Sequence, residues 1–247
     1  MSYNFTVSPD FMPSYISGWY IFNTWIQRQL NEKIHLELYD SFEAQREAIE
    51  SGKVDLIYAN PFDAAMLIRD KGFQVVACPN ATSDEAVIAV SAESSILSIE
   101  DLKHGTRIAS TDAPDVHMMG MIMIEPADLD RDNTTRHICS SYVLVAKDLI
   151  TDKADIGFFL KDAFEHFSET TRKNLRVLVS SHIHIIHHQL MIGPRLAHLR
   201  EPLLNHLLEA KDAQAEEVLV SLGFKTWAKV DHEEAEFMID LMDTLVK

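Results

Sequence analysis

Residues 51–60 read SGKVDLIYAN and residues 151–160 read TDKADIGFFL, so the chain carries nearly the same phrase twice. A lysine and, two residues later, an aspartate recur at the same places in both copies. In each copy an amphipathic stretch of helical length leads through a short polar link into a buried β-like run. The repeat predicts one helix–strand unit that is used once in each of two similar lobes.

Other hydrophobic runs extend this pattern along the chain. Short segments rich in Val, Ile, Leu and aromatic residues alternate with polar or amphipathic stretches of helical length. Such alternation predicts an α/β fold. The predicted strands are YNFTV (3–7), IHLELY (34–39), VDLIY (54–58), FQVVA (73–77), AVIAV (86–90), TRIAS (106–110), ADIGFF (154–159) and LRVLVS (175–180).

The clearest junction between a strand and a helix follows VDLIY. Asn60 can cap a helix, Pro61 suits its first turn, and Gly72 suits the position just past its end. Asp63 lies near the positive end of the expected helix dipole. The sequence therefore predicts that a strand leads directly into a helix here.

Size and charge exclude several classes of protein. The chain has 247 residues, 47% of them hydrophobic, which suffices for one large domain or two compact lobes. Its formal net charge of −16 opposes binding to nucleic acid or anionic lipid, since both require a basic surface. No apolar run is long enough to cross a membrane, so no membrane insertion is expected. Cys78 and Cys139 are too few and too far apart for a disulfide framework or a structural zinc site, and both are interpreted as buried apolar residues.

The N-terminal residues bear on the cellular compartment of the protein. The chain as given shows no basic region followed by a hydrophobic one at its N-terminus. The protein is therefore expected to be cytoplasmic as given, or periplasmic if an export signal was trimmed before this numbering begins.

Five segments, taken in order, are informative together: FTVSPDFMPSYISGWYIFNTWIQRQL (5–30), SGKVDLIYANPFDA (51–64), SIEDLKHGTRIAS (98–110), DKADIGFF (152–159) and LLEAKDAQAEEVLVSLGFKTWAKVDHEEAEFMIDLM (207–242). The most specific parts are GKVDLIY with the following Asn-Pro, EDLKHG before a strand, and LVSLGF with an acidic helix after it. In this order the segments resemble the phosphate/phosphite/phosphonate-binding (PhnD-like) solute-binding proteins of ABC transporters, and the resemblance covers nearly the whole chain.

The resemblance implies a type 2 periplasmic-binding-protein fold, in which two α/β lobes are joined by two hinge crossings and close on a ligand. Lobe one is expected to contain residues 1–82 and 187–247, and lobe two residues 83–186. The crossings are expected in CPNATSDEAVIAV (78–90) and IHIIHHQLMIG (183–193).

Relatives of this kind hold an anionic head group with helix N-termini and hydroxyl groups. In lobe one the resemblance carries this role to Ser8 and Asp10, which lead into a helix bearing Tyr15 and Trp19, and to Tyr58 and Asn60. Two alternatives stay open. Asn60 can instead be a capping residue, and Tyr58 a core aromatic at the end of a strand.

In lobe two the sequence departs from the family. Relatives carry a loop of the Ser-Thr-Ser-Gly kind, whereas this chain reads ASTDAPDVHMMG (109–120). Ser110 and Thr111 remain, but Asp112 and Asp115 bring carboxylates to the helix start, where they oppose an anion. This favours a zwitterionic, neutral or cationic ligand whose amine or hydroxyl an aspartate receives. The alternative is that these aspartates only cap the helix.

The segment SHIHIIHHQ (181–189) has the most unusual composition. If it forms one strand, His182, His184 and His188 share a face and can share a metal, with His117 completing the site. No carboxylate or cysteine with recognised ligand spacing accompanies them, so neither a metal nor another cofactor is assigned. His187 and His188 lie where the second crossing should pass the ligand, and either can contact it.

The chain contains no Gly-rich phosphate loop, Ser-centred elbow or His-Glu-x-x-His motif. The sequence therefore favours a non-catalytic protein that binds a small polar ligand in an interlobe cleft, for uptake or sensing. Its partner would be an ABC permease or a signalling protein. The alternative is an enzyme on the same scaffold, because fold alone does not separate binder from enzyme. That enzyme would use the histidine strand with Asp112 as acid/base groups or metal ligands.

Overall fold

The computed structural model describes residues 2–80, 82–184, 186–209, 213–230, 235, 237, 239 and 240. Each of the eight predicted strand segments contains a strand, which confirms the α/β pattern. The strands of the described residues are β1 (Tyr3–Val7), β2 (Ile34–Leu36), β3 (Leu56–Ala59), β4 (Gln74–Pro79), β5 (Ala86–Ser91), β6 (Arg107–Ser110), β7 (Thr135–Ile138), β8 (Ile156–Leu160), β9 (Leu175–Ser180), β10 (Gln189–Ile192) and β11 (Trp227–Ala228).

Helices follow most of these strands. The acidic helix expected after LVSLGF lies largely outside the described residues, as do Ala81 and Ile185 of the two expected crossings. The α-helices are α1 (Ile16–Leu30), α2 (Phe42–Glu50), α3 (Pro61–Lys71), α4 (Pro114–Ile124), α5 (Tyr142–Ile150), α6 (Lys161–Glu165), α7 (Glu169–Lys173), α8 (Arg200–Glu209) and α9 (Ala213–Leu222). Short 3-10 turns lie at Pro13–Tyr15, Ile99–Asp101, Glu125–Ala127 and Pro194–Leu199.

The junction predicted after VDLIY forms as expected. Asn60 caps α3 because its Oδ1 accepts the backbone N–H of Asp63 at 2.9 Å. Pro61 opens the helix, and Gly72 follows it with φ +68°, a left-handed conformation that glycine adopts without strain. This junction brings the cap residue to the carboxyl end of β3.

The chain divides into two compact units, which we call unit one (residues 1–82 and 187–247) and unit two (residues 83–186). The chain therefore passes from one unit to the other twice.

Unit one is built on a six-stranded sheet in the order β11-β4-β10-β3-β1-β2. Strands β2 and β3 run parallel to β1, whereas β10 runs antiparallel to both β3 and β4. Aromatic side chains fill one face of this sheet, where Phe5 and Trp19 pack edge to face with ring centroids 6.1 Å apart. The other face is aliphatic and includes Ile57, Leu67 and Met191.

Unit two repeats this arrangement with a five-stranded sheet in the order β7-β6-β8-β5-β9. Strands β7 and β8 run parallel to β6, and β5 runs antiparallel to β8 and β9. In both units one antiparallel strand thus follows the parallel ones in the sheet order. Phe159 and Phe164 pack edge to face with ring centroids 5.3 Å apart, in a core that includes Cys139.

The repeated phrase has one structural meaning in both units. The serine before each helix, Ser41 or Ser141, accepts a backbone N–H of the first helical turn. The aspartate before each strand accepts a backbone N–H of the neighbouring parallel strand: Asn4 N lies 2.9 Å from Asp55 Oδ2, and Arg107 N lies 2.7 Å from Asp155 Oδ2. The recurring aspartate therefore ties the strand after the helix to the neighbouring strand.

Both cysteines are buried, as expected. Within the part of the chain that the structure describes, no helix combines the length and the apolar character needed to cross a membrane.

Candidate functional site

Unit one gathers polar side chains at the carboxyl ends of its parallel strands, the edge at which α/β sheets bind ligands. Ser8 follows β1 and is fully buried, and its N–H donates to the Tyr58 carbonyl at 2.8 Å. Asn60 follows β3, and its Nδ2 donates to Ser8 Oγ at 3.2 Å and to Asp63 Oδ2 at 2.7 Å. Asn60 is also fully buried, and it acts as the capping residue of α3. Its side-chain amide also holds Ser8 in position.

Asp10 and His188 form an ion pair at this edge, with Asp10 Oδ1 3.2 Å from His188 Nε2. Both side chains are at least nine-tenths buried. Burial favours a raised pKa for Asp10, but the His188 charge and hydrogen bonds from His188 and Ser8 outweigh it, so the pKa of Asp10 lies below its ordinary value. Asp10 is therefore ionised at neutral pH. Its second oxygen, Oδ2, is buried without a hydrogen-bond partner among the described residues.

Aromatic rings surround this pair. The Tyr58 ring stacks on the His188 ring with centroids 5.3 Å apart. The Trp19 ring also packs against Tyr58, with ring centroids 4.7 Å apart. Trp19 is 2% exposed and packs in the core, so the helix that carries it presents little of the indole to solvent. The Tyr15 hydroxyl lies beside Gly223, 2.7 Å from the position that a Cβ atom on that glycine would occupy.

Unit two has a second polar group at the carboxyl end of β6, and its centre is Arg136 on the neighbouring strand β7. Arg136 Nε donates to Ser110 Oγ at 2.8 Å, and an Nη of the same guanidinium donates to the Thr111 carbonyl at 2.7 Å. A guanidinium has five N–H donors, so these two bonds leave three unused among the described residues. Thr111 Oγ1 is buried and has no partner there either.

Asp112 and His117 flank this group. Asp112 is exposed and does not cap α4, whose N-cap is Ala113 with no side-chain hydrogen bond. The alternative that Asp112 is a helix cap is therefore wrong. Arg136 is exposed as a whole, but partial desolvation of its guanidinium lowers its pKa, and the charge of Asp112 opposes this shift. The guanidinium still stays charged.

His117 lies in the first turns of α4, and its Nδ1 is buried without a partner among the described residues. Burial lowers the pKa of His117 to about 4, and the positive charges of Arg136 and Arg131 contribute to the same shift. The imidazole is therefore neutral at neutral pH and can donate or accept one hydrogen bond at each ring nitrogen according to its tautomer.

The condition for a shared histidine face, that residues 181–189 form one strand, is not met by the described residues of this segment. Residues 181–184 and 186–188 lie outside the strands, and β10 begins only at Gln189. His184 has φ +61°, which breaks the alternation on which a shared face depends. The rings of His182 and His184 approach each other with centroids 6.1 Å apart, whereas His188 pairs with Asp10. His187 is buried beside it in the chain.

Glu85 organises the first part of this segment within unit two. The buried Glu85 carboxylate accepts the backbone N–H groups of Ile183 at 3.1 Å and His184 at 2.7 Å, together with the Ser181 hydroxyl. Burial favours a raised pKa for Glu85, but these hydrogen bonds outweigh it and hold the pKa below the usual glutamate range. Glu85 therefore ties the entry of unit two to its exit.

Sequence reasoning missed Arg136. It lies on β7, all four residues of which are exposed, so the strand shows neither a hydrophobic run nor apolar alternation. The short TRHI segment between polar turns therefore lacks the pattern of apolar residues by which a strand is predicted from sequence. The one available signal was the resemblance itself, since a parallel strand is expected after the first helix of lobe two.

Buried polar groups at the carboxyl ends of parallel strands, in each of two α/β units, define a protein that binds a small polar molecule. A sequence profile of the family described as "ABC transporter, phosphonate, periplasmic substrate-binding protein" matches residues 5–235. The chain belongs to this family of non-catalytic binding proteins.

Solved structures show the same fold at low identity. PhnD1 from Prochlorococcus marinus, in complex with methylphosphonate, is 13% identical, with 100% of this chain and 98% of that chain covered and a TM-score of 0.83. A binding protein component of an ABC phosphonate transporter from Pseudomonas aeruginosa is 15% identical, with 100% and 89% covered and a TM-score of 0.77. The aliphatic sulphonate binding protein SsuA from Escherichia coli is 13% identical, with 99% and 91% covered and a TM-score of 0.69.

These likenesses confirm the type 2 periplasmic-binding fold with its two crossings. A search of curated proteins found no match.

Proposed function

We propose that the protein binds a small zwitterion that carries a phosphonate or sulfonate group at one end and an amine at the other. The observation that carries this proposal is the Arg136 guanidinium, which binds Ser110 and Thr111 yet keeps three N–H donors unused among the described residues. An oxyanion accepts charge-assisted hydrogen bonds from such a donor set.

The neighbours of Arg136 support an anionic head group. Thr111 Oγ1 and His117 Nδ1 are buried polar atoms without partners in the described part of the chain, and leaving such atoms unpaired is costly. A tetrahedral oxyanion offers acceptors to a hydroxyl and to an imidazole N–H. The neighbours named above include proteins whose ligands are described as methylphosphonate and aliphatic sulphonate, which favours the same head groups here.

Asp10 supports the amine. Its carboxylate is ionised, and Oδ2 is buried without a partner among the described residues while Oδ1 binds His188. A ligand ammonium would satisfy Oδ2 with a charge-assisted hydrogen bond. Ser8, Tyr58 and Asn60 hold this acceptor in place.

We further propose that the protein delivers this ligand to an ABC permease rather than altering it. The family description supports a transport role, and the histidine strand required by the enzyme alternative is absent from the described residues 181–184 and 186–188. The same description supports the periplasm as the compartment. Sensing through a signalling protein in the cytoplasm remains the competing proposal, and cell fractionation together with the neighbouring genes separates the two.

Isothermal titration with an alkylphosphonate and its ω-amino analogue of equal chain length tests the ligand. The wild type should bind the amino analogue more tightly, and Arg136→Gln should weaken both ligands by about 10- to 100-fold, the range expected for a hydrogen-bonded charged group. Arg131→Gln is the matched control, because it removes a nearby exposed positive charge that has no hydrogen bond to Ser110 or Thr111.

Two results would contradict the proposal. One is equal loss of affinity in Arg136→Gln and Arg131→Gln, which would show only a general charge effect. The other is a ligand recovered chemically changed after incubation, which would favour the enzyme.

A further inference from the structure

Three side chains of unit two that can ligate a metal come together where β7 meets α5. His137 Nδ1 lies 2.8 Å from Asp148 Oδ2, and Cys139 Sγ lies 3.4 Å from the same oxygen. Cys139 Sγ and His137 Nδ1 are 4.0 Å apart. All three candidate ligand atoms therefore lie within 4.8 Å of one another, in the only such group among the described residues.

These separations suit a tetrahedral ion. Zinc binds nitrogen and oxygen at about 2.0 Å and sulfur at about 2.3 Å, so tetrahedral angles place its ligand atoms about 3.3 to 3.5 Å apart. The three observed distances bracket these values, and shifts of about half an ångström would reach them. An exposed imidazole can make such a shift, because the His137 side chain is 62% exposed.

The fold holds the other two ligands in place. Cys139 follows β7, and its backbone N–H donates to the Ser110 carbonyl at 2.8 Å. Asp148 lies on α5, whose start is capped by Ser141. Cys139 and Asp148 are each 6% exposed, so both are fixed in the fold, whereas the exposed His137 side chain can adjust to an ion.

The Asp148 carboxylate already attracts positive charge. Lys153 Nζ lies 3.7 Å from Asp148 Oδ1, and the lysine side chain is 62% exposed. A lysine on the surface can move away when a divalent ion takes its place, since exposed ion pairs contribute little stability. The negative charge of Asp148 therefore favours a cation at this site. The lysine beside it is exposed, so it does not block a metal ion.

We propose that His137, Cys139 and Asp148 bind a zinc ion, with water as the fourth ligand. One nitrogen, one sulfur and one oxygen ligand match the borderline character of Zn²⁺, whereas Mg²⁺ and Ca²⁺ require oxygen ligands. The ion would join the edge strand β7 to α5. This proposal does not depend on which small molecule the protein binds.

Cobalt(II) titration of untagged, chelator-treated protein tests the site. Co²⁺ replaces Zn²⁺ and gives a thiolate-to-metal charge-transfer band only when a cysteine binds it. We expect one Co²⁺ per chain with this band, its displacement by Zn²⁺, and its loss in Cys139→Ser. Cys78→Ser is the matched control, because it removes the other buried cysteine and should keep the band.

A second pair of variants keeps the test valid if Cys139→Ser does not fold. His137→Gln changes an exposed side chain and should weaken Co²⁺ binding at least 10-fold, whereas His35→Gln, another exposed histidine paired with one carboxylate, should not. Binding without the thiolate band would overturn the proposal. So would binding that is lost in a His182→Gln, His184→Gln double variant and kept in His137→Gln.

Discussion

His188 Nε2 lies 3.2 Å from Asp10 Oδ1, although 178 residues separate the two along the chain. The contact exists because β10 runs antiparallel to β3 and starts at the sheet edge where β1 ends. It places an ionised carboxylate at the carboxyl-end edge of the unit-one sheet, and the second oxygen of that carboxylate has no hydrogen-bond partner among the described residues.

Asp10→Asn should weaken binding of an aminoalkylphosphonate about 10- to 100-fold, the equivalent of about 1.5 to 3 kcal/mol for a hydrogen bond to a charged group. An alkylphosphonate without an amine should lose little affinity. Isothermal titration of both ligands measures the difference, and a thermal melt checks that the variant is folded. Equal losses for the two ligands would show that Asp10 only organises the site.

Asp112→Asn should strengthen binding of the simple alkylphosphonate about two- to fivefold, because the Asp112 charge acts on Arg136 and an exposed charge is worth about 0.4 to 1 kcal/mol. Glu125→Gln, which removes an exposed negative charge elsewhere in unit two, is the control. If Asp112→Asn instead weakens the amino analogue selectively, Asp112 receives the amine and Asp10 does not.

Glu85→Gln should lower stability at neutral pH by about 1 to 3 kcal/mol, because the buried carboxylate accepts two backbone N–H groups. The pKa of Glu85 is lower in the folded state than in the unfolded chain. The stability that this shift provides is present above the unfolded glutamate pKa of about 4.3 and is lost as pH falls through the folded pKa.

Melting temperatures of wild type and Glu85→Gln should therefore differ most near pH 7 and converge below about pH 4. Glu93→Gln, an exposed glutamate of the same unit, should follow the wild type at every pH. A constant difference between wild type and Glu85→Gln across the range would show that the ionised form of Glu85 contributes nothing.

A fragment of residues 83–186 should fold alone, and a fragment of residues 1–82 should not. All five strands of the unit-two sheet lie between 83 and 186. Among the described residues, β4 of unit one pairs only with β10 and β11, and both of these strands come after residue 186. Circular dichroism melts of the two fragments measure this. A cooperative melt of residues 1–82 would contradict the boundary.

Local chemistry made much of the fold predictable. The strands that the sequence revealed are those buried by the sheet, such as β3 and β8, whose residues are all buried. The cap at Asn60 and the stop at Gly72 were readable because each satisfies a backbone need that few residues meet. The repeated aspartate was visible for the same reason, since it binds a backbone N–H in both units.

Tertiary contacts decided the rest. Arg136 was hidden on an exposed edge strand, and no sequence spacing relates it to Ser110, 26 residues earlier. The histidine segment failed as a strand because Glu85, 98 and 99 residues earlier, takes the backbone N–H groups of Ile183 and His184. A pairing with so distant a residue leaves no periodic pattern in the sequence.

The late position of β10 sets an order of events during synthesis. Strand β10 separates β3 from β4 in the sheet, yet it leaves the ribosome only after every strand of unit two. Unit two can thus reach its native state while the first 82 residues still lack the strand that joins them. Until β10 and β11 are available, the hydrophobic β4 lacks both of the sheet partners that it has among the described strands, so the N-terminal segment is the last part of unit one to reach its native pairing.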